Sequence, residues 1–385
     1  MKSGIVQGID VLLRENTYLG KRLGMVTNEA ALTQSGYPSR KALLDAGFTI
    51  TKLFSPEHGL NVTCADGARV EDQTDLLTGL PVISLYGERL KPNPGTLLNL
   101  DAVLFDIPDV GARFYTYLWT MTYMMEACAE AGIAFIVFDR PNPIGGAMWQ
   151  CESPMLDEAN CSSFIGRWSI PIRHGCTLGE LARYFKTTRL QNLHLEIIPC
   201  EGWERRQSFF ETGHLFTPTS PAIRDAETAL LYPGTGLLEG IHISEGRGTA
   251  SAFKQAGAPW INAVKWQQAM DAAIVKGVSV ETVTFTPEWG LYAGELCNGL
   301  RFSVNDARSF RPVAFGICLI QQLMHLYPDL VKPRLYPTVA NPSGENHLDR
   351  LVGIKDAFTK LKSGEKVITD LNEEWRKEIN TLLLY

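Results

Sequence analysis

Acids set beside glycine or proline in turn-like segments are the residues of this sequence best suited to chemistry. Glu57 lies in Ser55-Pro56-Glu57-His58-Gly59, Glu239 in Leu238-Glu239-Gly240, and Glu245 in Ser244-Glu245-Gly246-Arg247-Gly248-Thr249. Two carboxyl groups flanking a sugar ring suffice to break a glycosidic bond. One protonates the leaving oxygen; the other stabilises or attacks the anomeric carbon, or activates water. Surroundings that raise one pKa and lower the other would divide these roles. His58 and Arg247 stand close to the acids in the chain and are the candidates for that tuning. The same acids also read as ordinary exposed side chains.

A second cluster follows Asp109, where Arg113, Tyr115 and Tyr117 fall in Gly111-Ala112-Arg113-Phe114-Tyr115-Thr116-Tyr117-Leu118-Trp119. A guanidinium among aromatic faces suits a sugar ring that bears a carboxylate, and the run reads equally as core packing at a helix start. Asp139-Arg140 fits a structural ion pair holding the turn Pro141-Asn142-Pro143, and Arg173-His174-Gly175 is a loop pair. Glu57, His58, Asp106 and Asp109 form the set a metal-dependent hydrolase would use. The seven histidines, however, show no H-E-x-x-H or H-x-H spacing. No G-x-S-x-G elbow offers a nucleophilic serine. No G-x-G-x-x-G follows the first strand and no G-K-[ST] P-loop exists, so neither a nucleotide nor any other cofactor or metal is expected.

These residues need a scaffold. The first half alternates short apolar runs with helices: strands are expected at Arg22–Asn28, Phe48–Phe54, Leu80–Leu85, Ala102–Phe105 and Ile133–Phe138. Helices are expected near Ser39–Ala46 and Leu118–Ala131. Apolar runs without alternation, bounded by turn residues and separated by helices, mark a parallel sheet covered on both faces. Ligands of such sheets bind outside the carboxyl ends of the strands. Those ends carry Asn28, Glu57, His58, Tyr86, Asp106, Asp109, Asp139 and Arg140. Thr177-Leu178-Gly179-Glu180 opens a further helix with capping-box spacing. From Ser163 to His174 the chain reads as loop, and Leu195–Pro199 as another strand.

Near Phe216–Pro221 the chain turns rich in Pro, Ser and Thr, a plausible seam. Beyond it, helices near Ile261–Lys276 and Pro312–Tyr327 and strands near Val283–Phe285 and Gly299–Val304 indicate a smaller α+β unit. The expected class is therefore α/β: a mostly parallel, Rossmann-like sheet domain over residues 1–222 and an α+β domain over 223–385. With 385 residues, two domains are the ordinary arrangement. Hydrophobic residues at 45% and charged residues at 20% fit a globular protein with a large core. A net charge of −6, without Lys/Arg clusters interleaved with aromatics, argues against a nucleic-acid partner. No apolar run is long enough to span a bilayer and the first residues lack an apolar targeting core, which leads to an expectation of no membrane association and a cytoplasmic location. Eight cysteines scattered singly read as reduced core thiols.

The motifs in their order add a resemblance. Ser55-Pro56-Glu57-His58-Gly59, Ser84-Leu85-Tyr86-Gly87, Asp109-Val110-Gly111-Ala112-Arg113-Phe114-Tyr115 and Asp139-Arg140-Pro141-Asn142-Pro143 come first. Arg173-His174-Gly175, Tyr232-Pro233-Gly234, Glu239-Gly240, Ser244-Glu245-Gly246-Arg247-Gly248-Thr249 and Gly257-Ala258-Pro259-Trp260 follow. The series resembles the NamZ/YbbC-like family of exo-β-N-acetylmuramidases, over essentially the whole chain. The resemblance implies an exo-acting glycoside hydrolase that releases N-acetylmuramic acid from peptidoglycan fragments, with a cleft at the junction of the two domains. Its partners would be muropeptides or amino-sugar disaccharides. It implies Glu57 as acid/base, with Glu245 or Glu239 as its partner. The lactyl carboxylate of the sugar would fall to Arg247, Arg113 or Arg140, and Asn28, His58, Asp106, Asp109, Tyr115, Tyr117 and His174 would complete the binding surface. The sequence departs from the family pattern at Pro108, where a Gln is usual, at Asn61-Val62 in place of Arg-Gly, and at Ala222 in place of Asn.

Overall fold

The computed structural model describes residues 4–212, 216–368 and 373–385. The apolar runs become β1 (Arg22–Thr27), β2 (Thr49–Ser55), β3 (Gln73–Thr74), β4 (Pro81–Ser84), β5 (Ala102–Asp106) and β6 (Ala134–Phe138). After these come β7 (Glu152–Met155), β8 (Pro171–Arg173) and β9 (Leu195–Ile198), then β10 (Gln255–Ala258), β11 (Val278–Phe285) and β12 (Cys297–Val304). Seven strands form one sheet in the order β3-β4-β2-β1-β5-β6-β9. Every neighbour pair in it is parallel except β3 with β4.

Continuous apolarity in these strands has a direct cause. Successive side chains of a strand point to opposite faces, and both faces here are covered. Val103 and Phe105 of β5 enter the large core, while Ala102 and Leu104 enter a second core on the other side. Helix Tyr117–Ala131 packs against the first face, so Trp119, Met121, Met124, Met125 and Cys128 are all buried. Its end is set by Gly132, whose φ of 68° is the left-handed cap a glycine accepts without strain. At helix Leu178–Thr188 the expected capping box forms, with Thr177 and Glu180 exchanging hydrogen bonds.

The chain winds from β1 outward through β2 and β4, then crosses back to place β5 on the other side of β1. This reversal opens a crevice at the carboxyl ends of the strands. After residue 222 the smaller part holds an antiparallel sheet, β10-β12-β11, and helices Ala226–Thr235 and Pro312–Leu326, which cross almost backbone to backbone. A Cβ on Gly234 would stand 1.8 Å from the Pro312 carbonyl oxygen, so the crossing admits only glycine there. Residues of both parts share the large core, from Val26 to Ile379.

Two expectations need correction. The stretch read as loop between Ser163 and His174 contains β8, which pairs antiparallel with β7. Its three residues carry no periodic signal, and Pro171 is a weak strand former. β11 begins at Val278, five residues before its expected start at Val283. It is an edge strand whose Ser279, Glu281 and Thr282 interrupt the apolar pattern.

Candidate active site

β2 ends at Ser55, and the chain turns at once into an unusual backbone: His58 has φ 66° and Gly59 φ 74°. A histidine held in the left-handed region is strained, a feature that clusters at functional sites. The His58 ring is fixed by its Nδ1–H, which donates to the Cys64 carbonyl at 2.9 Å. Glu57, 5% exposed, accepts hydrogen bonds on both oxygens: from the Gly67 N–H at 2.8 Å on Oε1 and from the Thr116 hydroxyl at 2.7 Å on Oε2. Gly67 has φ 67°, and a Cβ there would lie 2.7 Å from the Thr338 methyl carbon, so glycine is required for this donor to reach Glu57. Thr116 directly precedes helix Tyr117–Ala131. The loop after β2 and the start of the helix after β5 therefore pin Glu57 between them.

Glu239 lies on the 3₁₀ turn Gly236–Gly240 and is 4% exposed. Its Oε1 accepts from Arg247 Nε at 3.1 Å and Nη2 at 2.8 Å, and from the Tyr336 hydroxyl at 3.2 Å. Among the described residues Oε2 has no hydrogen-bond partner. Arg247 also pairs with Asp66 at 3.1 Å and with Glu245 at 3.3 Å. Arg334 holds the other oxygen of Glu245 at 3.0 Å, and Tyr336 donates to Asp66 as well. Three acids thus converge on one guanidinium. Burial, reinforced by the charges of Asp66 and Glu245 and opposed by Arg247, pushes the Glu239 carboxyl up to about 7. Burial acts on Asp66 in the same direction, but Arg247, His58 and the Tyr336 hydroxyl outweigh it and hold that carboxyl below its usual value.

Glu57 and Glu239 line a single cavity. Its walls carry His58, Asp66, Tyr86, Thr116, Ser220, Arg247, Tyr336, His347 and Arg350, drawn from both parts of the chain. Tyr115, Tyr232 and Phe253 form an aromatic wall of edge-to-face contacts, with Tyr115 and Tyr232 centroids 5.9 Å apart and Tyr232 and Phe253 centroids 4.8 Å apart.

The residues singled out in the sequence separate into two groups. Glu57, Glu239, His58, Tyr115 and Arg247 share the cavity. Glu245, 2% exposed, stands behind it, braced between Arg247 and Arg334. Arg113 is fully buried and donates to four carbonyls, those of Pro154, Ile170, Leu351 and Val352, at 2.8–3.0 Å. Burial pushes its pKa down to about 9. Tyr117 donates to the Thr219 carbonyl within the core, and Asn28 turns its Oδ1 to the Ala30 N–H at 3.0 Å.

Asp106 makes a two-pronged pair with Arg140 at 2.6 and 3.0 Å. Arg140 and Asp109 line a separate cavity. His174, buried, accepts the Cys176 N–H on Nδ1 and lies 3.6 Å from Asp109 through Nε2. The four residues of the metal-hydrolase reading are therefore divided between two places. Among the described residues no three His, Cys, Asp or Glu side chains come together to hold a metal.

Sequence reasoning passed over Asp66, Thr116, Tyr336, His347 and Arg350. Asp66-Gly67 carries the same acid-before-glycine signature as Glu239-Gly240 and could have been found by it. Tyr336 and Arg350 lie far along the chain from both acids, Tyr336 97 residues beyond Glu239, and carry no local signal.

Models of the N-terminal and C-terminal parts of exo-β-N-acetylmuramidase NamZ match residues 23–227 and 230–382. The chain belongs to the NamZ exo-β-N-acetylmuramidase family. It is accordingly a glycoside hydrolase. Peptidoglycan β-N-acetylmuramidase NamZ of Bacillus subtilis (strain 168) is 40% identical over 374 residues, covering 96% of this chain and 87% of the relative. A crystal structure of a DUF1343 family protein from Bacteroides fragilis NCTC 9343 superposes with a TM-score of 0.89 at 28% identity, covering 99% of both chains. A second DUF1343 structure from the same organism gives 0.77 at 25% identity, covering 100% of this chain and 99% of that one. Among the described residues no helix is long and apolar enough to cross a membrane.

Proposed function

We propose that this chain releases N-acetylmuramic acid from the non-reducing ends of peptidoglycan fragments, acting on muropeptides or amino-sugar disaccharides in the cytoplasm. We place the working cleft between residues 1–222 and 223–385. The observation that carries the reading is the pair Glu57 and Glu239 on one cavity, with the Glu239 carboxyl raised to about 7.

The proposed division of labour reverses the one expected from the sequence. Glu239 is the acid: its free Oε2 gives a proton to the glycosidic oxygen as the bond to the anomeric carbon breaks. Glu57, oriented by Gly67 and Thr116, stabilises the positive charge that develops on the sugar or activates the incoming water. Water adds at the anomeric carbon; its proton passes to the Glu239 carboxylate and restores the acid, or, where Glu57 activates the water, to Glu57, with Glu239 reprotonated from solvent. Glu245 and Arg334 brace Arg247, which in turn aligns Glu239. The aromatic wall offers its apolar edges and faces to the sugar ring.

The test is turnover of a chromogenic β-N-acetylmuramide by the wild-type chain and by Glu57→Gln, Glu239→Gln and Glu245→Gln. The first two should lose nearly all turnover and the third should retain a measurable part. Wild-type rates in both Glu57→Gln and Glu239→Gln would overturn the assignment. Short glycan strands should yield the terminal monosaccharide alone; internal fragments would refute exo action. Proton NMR of the first-formed anomer reports retention or inversion.

A further inference from the structure

N-acetylmuramic acid differs from N-acetylglucosamine by a lactyl ether carrying a carboxylate, so an enzyme that distinguishes them needs a cation with capacity to spare. The three arginines the sequence offered are all engaged. Arg113 is consumed by four carbonyls, Arg140 by Asp106 in the other cavity, and Arg247 by Asp66, Glu239 and Glu245. A fourth arginine, Arg350, lines the Glu57–Glu239 cavity from the short helix His347–Val352. The residue is half-buried, and among the described residues its guanidinium has neither a hydrogen-bond nor an ion-pair partner. The adjacent Asp349 is engaged elsewhere, accepting the Asp356 and Ala357 N–H groups at 2.9 Å.

The surroundings suit an anion. His347 stacks flat on Tyr336, with centroids 4.4 Å apart and planes 7° from parallel. Burial, with Arg334, Arg350 and Arg247 nearby and Asp66 opposing, pushes its pKa down to about 3, so it adds no competing charge. The Ser163 hydroxyl, on the cavity wall, is buried and without a hydrogen-bond partner among the described residues. It lies two positions after Cys161, whose thiol feels the charge of Arg350. A guanidinium and a buried hydroxyl left unpaired among the described residues can both donate to an incoming carboxylate.

We propose that Arg350, with Ser163 as a second donor, binds the lactyl carboxylate and sets the preference for N-acetylmuramic acid over N-acetylglucosamine. This rests on the muramidase reading above. The experiment compares kcat/KM for chromogenic β-N-acetylmuramide, its lactyl methyl ester and β-N-acetylglucosaminide in the wild type, Arg350→Met, Arg350→Lys and Ser163→Ala. Arg350→Met should lose roughly 30-fold or more on the muramide, while its rate on the glucosaminide stays level or rises. The methyl ester should cost the wild type a similar factor and leave Arg350→Met unaffected, with Arg350→Lys in between. Melting temperature supplies a second readout: free N-acetylmuramic acid should raise it in the wild type and not in Arg350→Met.

An unchanged sugar preference in Arg350→Met, or an equal loss on muramide and glucosaminide, would overturn the role of Arg350. A wild type inert towards muramide would instead bring down the reading beneath it.

Discussion

Two crevices open at the carboxyl edge of the same sheet, and their charges are arranged differently. At the ends of β1, β5 and β6, Asp106 and Arg140 pair one to one, and the Leu32 carbonyl takes a remaining guanidinium proton. Around Glu239, three acids converge on Arg247 and a second arginine reaches only Glu245. Asp106 is matched by an arginine of its own; Glu239 shares one with Asp66 and Glu245, and burial, reinforced by those two charges, raises its carboxyl to about 7. The reversal of strand order places a ligand crevice beside β1 and β5. The pair proposed as catalytic, Glu57 and Glu239, nonetheless lines a cavity at the ends of β2 and β4, where the second part of the chain brings in its own acids and arginines. A fold supplies crevices, but unbalanced charge marks the one equipped for proton transfer.

The contrast can be broken most sharply by substitution at both sites. Glu239→Gln and Glu57→Gln should each cost about 1,000-fold in kcat, with melting temperatures close to that of the parent. Asp106→Asn should do the opposite. It leaves Arg140 without its carboxylate and costs roughly 3 kcal/mol of stability, read as a lower midpoint in urea, while kcat stays within a few-fold. A folded Asp106→Asn chain with abolished turnover would move the chemistry to the other crevice.

Acidity sharpens the comparison. The Glu239 carboxyl is raised to about 7, so the protonated form that acts as acid is lost as pH climbs through that value. The kcat/KM profile should therefore decline on its alkaline side from about pH 7. Asp66→Asn removes one of the negative charges that raise Glu239, and should shift this decline to lower pH. An alkaline limb that stays in place would mean that Asp66 does not tune the acid. The smallest effect belongs to Tyr117→Phe. It removes one buried hydrogen bond to the Thr219 carbonyl, outside the cavity, and should cost about 1 kcal/mol by denaturant titration with kcat almost unchanged.

The sheet was legible because buried parallel strands spell themselves out as unbroken apolar runs closed by turn residues; β1, β2, β5 and β6 fall within a residue or so of their expected limits. β11 was shortened in the reading because an edge strand exposes polar side chains and loses that signal. Among site residues, Glu57 and Glu239 were visible because acids in tight turns carry a local mark. Arg113 misled for a physical reason: an arginine beside three aromatics looks alike whether it faces a ligand or a set of backbone carbonyls. Only the distant Pro154, Ile170, Leu351 and Val352 decide between them. Arg350, proposed above for the lactyl carboxylate, was illegible because what singles it out is the lack of a partner among the described residues, which no linear spacing can express.

Arg113 also bears on how the cavity can move. Its guanidinium joins backbone from β7 and the segment before β8 to the helix that carries Arg350. Swinging the two parts of the chain apart there would strip two buried acceptors, the Leu351 and Val352 carbonyls, of their donor together. Sugar entry and exit are thereby left to local breathing of surface segments, and hydrogen exchange should find the amides around Leu351 among the slowest in the smaller part.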